Sequence, residues 1–460
     1  MEAMNSHQQY IDLYRSHRQL LDGGSCSVLN ACRDEAARLL SAQGLPDMRE
    51  ERYKYTDVQA AFAPDMGLNL RRTLPTPDPY AAFKCNVPNL STSLFFVVND
   101  VPYPAPDSSR ALLPEGVIVE SFAQAAVHHA PLLERYYNRA ARTDRDFRHG
   151  HDGVTLLNTL LAQDGLFVYL PAGIRLKAPL QVVNVSSART ACLSVRRVIV
   201  VAEEEACGAV LFCDHAEGDQ AYLTTQVVEV YAAAGAHVDV YSIEETNRQN
   251  TRFATLYAEL QAGSRLSYDG VTLTGGHTRN RLDVRLLGPG AQAELYGAVV
   301  ADATQRVDNN ILVEHLSPQC TSDMLYKYVL DGQSLGAFAG KVYVAPGADR
   351  TASQQTNANL CAGPEARALS QPMLEIYADD VKCNHGATVG KLDEAALLYM
   401  RQRGIPETEA RLLLQHAFVS DVLQYVSNEE LREKISHLIE HRFRGELNAC
   451  QGCSLCDNKA

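Results

Sequence analysis

The sequence predicts a mainly β protein: a right-handed parallel β-helix core flanked by N-terminal and C-terminal helical regions. Three observations carry that fold class. From about residue 155, short β-rich runs such as "LFVYL", "LQVVNV", "RRVIVVA", "TTQVVEVY" and "HVDVYSI" are separated by Gly, Ala, Asn and Asp turns, the pattern of successive strands. A small-residue turn recurs at Gly208-Ala209, Gly235-Ala236, Gly263-Ser264 and Gly290-Ala291, at intervals of 27, 28 and 27 residues, and "SPQC" at 317–320 continues the register. A second, polar turn falls near each midpoint, in "ETNRQN", "GGHTRN" and "ATQRVDNN". Two strands and two turns per repeat suit coils that hydrogen-bond each to the next. The alternative is a large β-sandwich with evenly spaced turns, whose strands rarely hold so constant a period.

The elements follow in order. Residues 1–60 form an N-terminal helical region. Its segment "SCSVLNACRDEAARLLSAQG" sets Val28, Leu29, Cys32, Ala36, Leu39 and Leu40 on one helical stripe, and Gly44 and Pro46 supply the stop. Residues 61–150 are a mixed α/β segment, Pro-rich around 64–106, whose individual elements the sequence does not place. The β-helix core runs over 151–392. A C-terminal helical domain occupies 393–446: Asp393 caps a helix that Gly404 ends, Pro406 opens "PETEARLLLQHAFVSDVLQYV", and Asn428 starts a third helix. The third carries an apolar stripe of Leu431, Ile435, Leu438 and Ile439. Residues 447–460 are a Cys-rich tail.

A formal charge of −13 argues against a nucleic-acid partner, which needs a basic face. No run approaches the ~18 apolar residues of a membrane span. The opening "MEAMNSHQQYIDLYRSHRQ" has no apolar core of the signal-peptide kind, so a cytoplasmic location is expected, with reduced cysteines. Most of the twelve cysteines are single residues in apolar contexts (Cys192, Cys207, Cys213) and read as small buried hydrophobes. Two groups stand apart.

One is "YADDVKCNHGATVGKLD", residues 377–393, flanked by aspartates. If it is extended, Asp379, Val381, Cys383 and His385 share a face, and a thiol with an imidazole there suits iron, zinc or a similar metal. Two ligands do not complete a structural site, which wants four. The rest must come from elsewhere in the fold, from sulfide or from a second chain. The plain alternative is a buried cysteine beside a hydrogen-bonded surface histidine. The other group is Cys450, Cys453 and Cys456 in "ACQGCSLC", spaced like the opening of a ferredoxin cluster run but without its fourth cysteine and proline. It reads either as adventitious thiols or as a handler of iron or a forming cluster. No catalytic constellation stands out. "SLGAFAGKV" has Leu335 and Val342 where a phosphate loop needs Gly and Ser/Thr, so no nucleotide is expected to bind directly. A secreted polysaccharide lyase on a β-helix would want an aromatic cleft, and the chain has no Trp.

At these residues the chain resembles the SufB/SufD family of iron–sulfur cluster assembly proteins. The likeness rests on "PMLEIYADDVKCNHGATVGKLDEAALLYMRQRGI" (372–405) and "EARLLLQHAFVSDVL". It extends to "LPDMREERYKYTDV", "LNTLLAQDGLFVYLPAGIRLKAPLQVVN" and "QQTNANL". Asn384-His385-Gly386 in place of a Glu-His-Glu version, and Asn357 where the SufB branch has a cysteine, point to the SufD branch. Tyr53 stands where the family usually has Trp, and the Cys-rich tail is outside the family pattern. The resemblance implies a non-catalytic subunit that pairs through its β-helix end with a SufB-like paralogue. It also implies docking of a SufC-like ABC ATPase through the C-terminal helices, with a homodimer when the chain is isolated. A transient iron or iron–sulfur cluster would sit at the SufB interface, with His385 the first candidate and Cys383 the second. A SufB-like scaffold holding the cluster on its own cysteines is the alternative.

Overall fold

The computed structural model describes residues 6–72, 78–82, 93–141 and 150–446. From Leu166–Leu170 onward, successive strands alternate between a nine-stranded and a ten-stranded sheet. Within each sheet, neighbours two strands apart in sequence run parallel: Thr251–Leu260 lies between Tyr222–Ala232 and His277–Leu286. This is a flattened β-helix with two strands per coil. Thr251 stands beside His277 and Leu335 beside Arg367, so the coil length varies from 26 to 32 residues. Both sheets begin with an antiparallel strand: Val101–Pro102 closes one against Ser93–Val98, and Ile118–Ser121 closes the other against Leu166–Leu170.

The corners explain the sequence period. At one edge of every coil a residue in the left-handed region is followed by a small buried one. The pairs are Glu205-Ala206, Gly235-Ala236, Gly263-Ser264, Gly290-Ala291 and Gln319-Cys320. The left-handed residues donate to the corner above, for example Gly235 N to Ala262 O at 2.9 Å and Gly263 N to Pro289 O at 3.0 Å. Glycine meets the positive φ without a Cβ penalty, which is why the turns at 235, 263 and 290 are readable. The Gly208-Ala209 turn is a misreading. Gly208 lies inside strand Cys207–Ala216, where a Cβ would come within 2.7 Å of Leu170, and Glu205 takes the corner instead.

Strand side chains alternate between the lumen and an outer face. Val198, Val200, Val228 and Val230 fill the lumen, while Ile199, Val201 and Tyr231 turn outward beneath the N-terminal helices. Both faces are covered, so these strands read as continuous apolar runs. The N-terminal helices Gln8–Gly23 and Ser27–Gln43 and the helix Gly153–Leu161 cover the nine-stranded sheet. On the opposite side, Glu407–Leu423 and Glu429–Arg444 lay Val419, Val422, Leu431, Ile435 and Ile439 on the ten-stranded sheet. Asp393 and Asn428 cap their helices as expected, each accepting backbone N–H bonds. No helix among the described residues is long and apolar enough to cross a membrane.

The segment 51–56 ties the helical cap to the outer face of the coils through buried charge. Arg52 reaches Asp283 at 2.5 Å and Asn310 at 2.9 Å, Thr56 donates to Asp308 at 2.6 Å, and Tyr53 donates to Asp152. Arg281 joins Asp152 to Asp283, and Arg279 lies over the Tyr53 ring at 4.0 Å. Burial would raise the Asp283 carboxyl, but the Arg281 and Arg52 guanidiniums outweigh it and hold it below the usual range. Removing one partner from such a network leaves a buried charge undercompensated. Arg52→Ala is expected to cost about 3–5 kcal/mol, read as a lower denaturation midpoint than that of an exposed control, Arg49→Ala.

A second charged group lies inside the lumen. Asp214 bridges Arg196 at 2.8 Å and Arg252 at 2.9 Å, while Glu244 accepts from Thr278 at 2.8 Å and sits 3.8 Å from Arg252. Burial pushes the Glu244 carboxyl up to about 7 despite Arg252. An unfolded glutamate titrates near ~4.3, so between that value and about 7 the folded chain holds the extra proton. This contribution to stability therefore falls as pH rises through the window and levels above it. Glu244→Gln should flatten that part of the profile, measured as thermal midpoints between pH 5 and 8. An unchanged slope would remove Glu244 as its source.

Candidate functional site

The last coil differs from all the others. Its strands, Arg367–Ile376 and Val381–Gly390, stand at the ends of the two sheets. Each pairs on one side only, with Leu335–Val344 and Thr351–Cys361 respectively. An edge of this kind presents a row of backbone donors and acceptors without a strand to take them. Large apolar side chains are exposed around it: Leu369, Ile376, Tyr377 and Val389 on the coil, and Leu398 and Tyr399 on the helix that follows.

Cys383 and His385 sit on this edge strand, beside Ser353 and Gln355 of the coil below. Alternation puts them on one face, with Cα atoms roughly 7 Å apart. Cys383 is half-buried against the lumen core, whereas His385 is exposed. Asp379, expected on the same face, lies in the bend before the strand. Asp380 accepts the Arg350 amide at the corner, and Asp393 is committed to its helix cap. Those two aspartates shape the chain on either side of the pair.

A polar column runs beneath the thiol. Ser353 follows Cys383 in register, its hydroxyl is 2.8 Å from Ser322 Oγ, and Ser322 Oγ is 2.9 Å from His315 Nε2. Burial pushes His315 down to about 4, so its imidazole is neutral. Burial pushes the Cys383 thiol up, opposed by the Ser353 backbone. Near neutral pH it is a thiol that yields its proton when a metal takes its place. Beneath His385, Gln355 is fully buried and donates to the Gly340 carbonyl at 3.0 Å. A Cβ on Gly340 would lie 2.0 Å from that amide nitrogen, so glycine is needed there to admit Gln355. "SLGAFAGKV" is accordingly strand rather than phosphate loop, and its Lys341 pairs with Glu375 at 2.6 Å.

The edge therefore offers one sulfur and one nitrogen donor to a borderline or soft metal. Among the described residues, no group of three or more His, Cys, Asp or Glu side chains is placed to hold a metal ion. Cys361 ends the adjacent strand, at the opposite end from Cys383. Asn357 is buried, donating to Tyr326 O at 3.2 Å and accepting from Asn359 at 2.7 Å. Cys450, Cys453 and Cys456 lie outside the described residues. Sequence reasoning missed Ser322, Ser353, His315 and Gln355, whose association follows only from the coil register. It also holds that no His-x-x-x-His helix exists, which is wrong: His437 and His441 have that spacing on helix Glu429–Arg444.

Comparison with known proteins agrees with this architecture. Residues 184–418 match the SufBD core domain of SUF system FeS cluster assembly, and residues 4–182 match the SufBD protein N-terminal region. An iron-sulfur cluster assembly SufBD family protein of Synechocystis is 27% identical over 432 residues, 92% of this chain and 93% of that protein. The iron-sulfur cluster assembly protein SufD of Escherichia coli is 29% identical over 227 residues, 49% of this chain and 54% of that protein. SufD of Bacillus subtilis is 23% identical over 346 residues, 73% of this chain and 76% of that protein. With a matched core on a β-helix and a matched region before it, the chain belongs to the SufBD family of iron–sulfur cluster assembly proteins.

Proposed function

We propose that this chain is the SufD-type subunit of a SUF assembly complex, without catalytic chemistry of its own. It pairs with a SufB-type paralogue across the open edge of the last coil. Iron or a nascent cluster is then held transiently between the two chains, with His385 as the principal donor from this side and Cys383 as a secondary one. A SufC-type ATPase engages the C-terminal helices and supplies the nucleotide chemistry. The observation that carries the reading is the half-paired edge strand Val381–Gly390, on which an exposed imidazole and a half-buried thiol meet an exposed apolar rim. Pairing with a second strand would satisfy the edge and bring the missing ligands in one step. The alternative SufB-like scaffold needs thiols that converge within one chain, and Cys361 and Cys383 stand at opposite ends of adjacent strands.

The test is anaerobic co-purification with SufB and SufC, with iron and sulfide measured on the assembly. His385→Ala should leave the three-protein complex intact and lower its iron and sulfide by roughly tenfold or more, the scale of losing a ligand or its support. Cys383→Ser should have a smaller effect. Full cluster content on an intact His385→Ala complex would reduce the chain to a structural role.

A further inference from the structure

One atom of Gln355 has no partner. The side chain is fully buried, and its amide nitrogen donates to the Gly340 carbonyl at 3.0 Å. A carbonyl only accepts, so that bond fixes which end of the amide faces Gly340. The other end, Oε1, is sealed from solvent and receives no hydrogen bond. Buried amide oxygens are rarely left in this state, and the place of this one in the ladder narrows what can serve it.

Two strands flank Gln355 in its sheet. On the inner side its register neighbour is Met324, which is buried and has no side-chain N–H or O–H to give. On the outer side it is His385. In the opposite sheet, the last-coil residue beside Gly340 is Pro372, which lacks a backbone N–H. Ser370 Oγ is also buried and unpartnered, but it stands two residues from Pro372, roughly 7 Å along the strand. Among the residues in register with Gln355, His385 therefore has the one side chain with a hydrogen to donate. Its ring is uncommitted: His385 is exposed, and among the described residues it has no hydrogen-bond or ion-pair partner. Neighbouring strands lie ~4.8 Å apart, so an N–H directed down the stack comes within reach of the amide oxygen beneath.

We propose that Gln355 is the positioning residue for His385: its Oε1 accepts the N–H of one ring nitrogen, which fixes the tautomer and presents the other nitrogen to iron. The inference rests on the reading above, in which His385 is the principal donor from this chain. Histidines that bind metal almost always give their second N–H to a carbonyl, a carboxylate or water, and that bond orients the ring. Here the acceptor is itself anchored to the opposite sheet through Gly340. The aim of the imidazole is then set by the fully paired coil beneath it rather than by the half-paired strand that carries it. Gln355 touches no iron and acts only through His385.

The experiment measures ferrous-iron affinity by chelator competition on the anaerobic complex of this chain with SufB and SufC, beside the thermal midpoint of each variant chain. Gln355→Met nearly conserves volume and removes the acceptor; it should weaken iron binding ~10–100-fold with the complex intact. Gln355→Glu keeps an oxygen for the imidazole but loses the bond to Gly340. It should lower the thermal midpoint while leaving iron affinity close to that of the unaltered chain. A merely structural role predicts the reverse order, because a buried carboxylate disturbs a core more than a methionine does. On a His385→Ala background, Gln355→Met should cause no further loss, since two residues acting through one contact are not additive. Loss from His385→Ala with none from Gln355→Met, or losses that simply add, would overturn the role of Gln355 alone. Iron binding undisturbed by His385→Ala would instead remove the reading on which that role rests.

Discussion

The parallel backbone ladder between coils is the constraint on which everything else depends. Each strand's N–H and C=O groups are satisfied by the coil before and the coil after, so stability is a property of neighbours in a row. A ladder of this kind has two ends, and the chain treats them differently. Short antiparallel strands finish both sheets at the start. At the far end both strands are left half-paired, and Cys383 and His385, the thiol and imidazole proposed to meet a metal, stand there. The location of the site is thus a consequence of where the ladder stops.

The two outer faces are secured by different means. The N-terminal cap combines apolar packing with a buried network around Arg52, Arg281, Asp152 and Asp283. Such a network adds little net free energy compared with apolar packing, but a misplaced partner is costly, so it fixes where the cap sits on the coils. The C-terminal helices rely mainly on apolar contact, supplemented by the Tyr425–Tyr296 stack at 4.0 Å and the Arg442–Asp302 pair at 2.8 Å.

What the sequence discloses follows from what is local. The corners at Gly235, Gly263 and Gly290 are legible because a positive φ selects glycine. The equivalent corner at Glu205 is not, since a side chain there is strained but tolerated. The helix Gly153–Leu161 escaped notice because all nine residues are buried, which erases the amphipathic period. The closing strands Val101–Pro102 and Ile118–Ser121 are too short to show alternation. At the open edge, the shared face of Cys383 and His385 was legible from spacing, while the role proposed for them rests on the family resemblance. The serines and His315 beneath them come from two successive coils and mean nothing until those coils are in register.

The order of synthesis gives the C-terminal helices a further significance. A chain emerges from the ribosome N-terminus first, yet Phe96, Val183 and Leu211, among the earliest strands made, share one apolar cluster with Leu431, Ile435 and Ile439, which are made only after every strand of that sheet. The outer face of that sheet therefore remains bare until helices Glu407–Leu423 and Glu429–Arg444 have been made. A chain that stops short of the returning helices leaves that apolar flank open to water, the kind of exposed surface that promotes association.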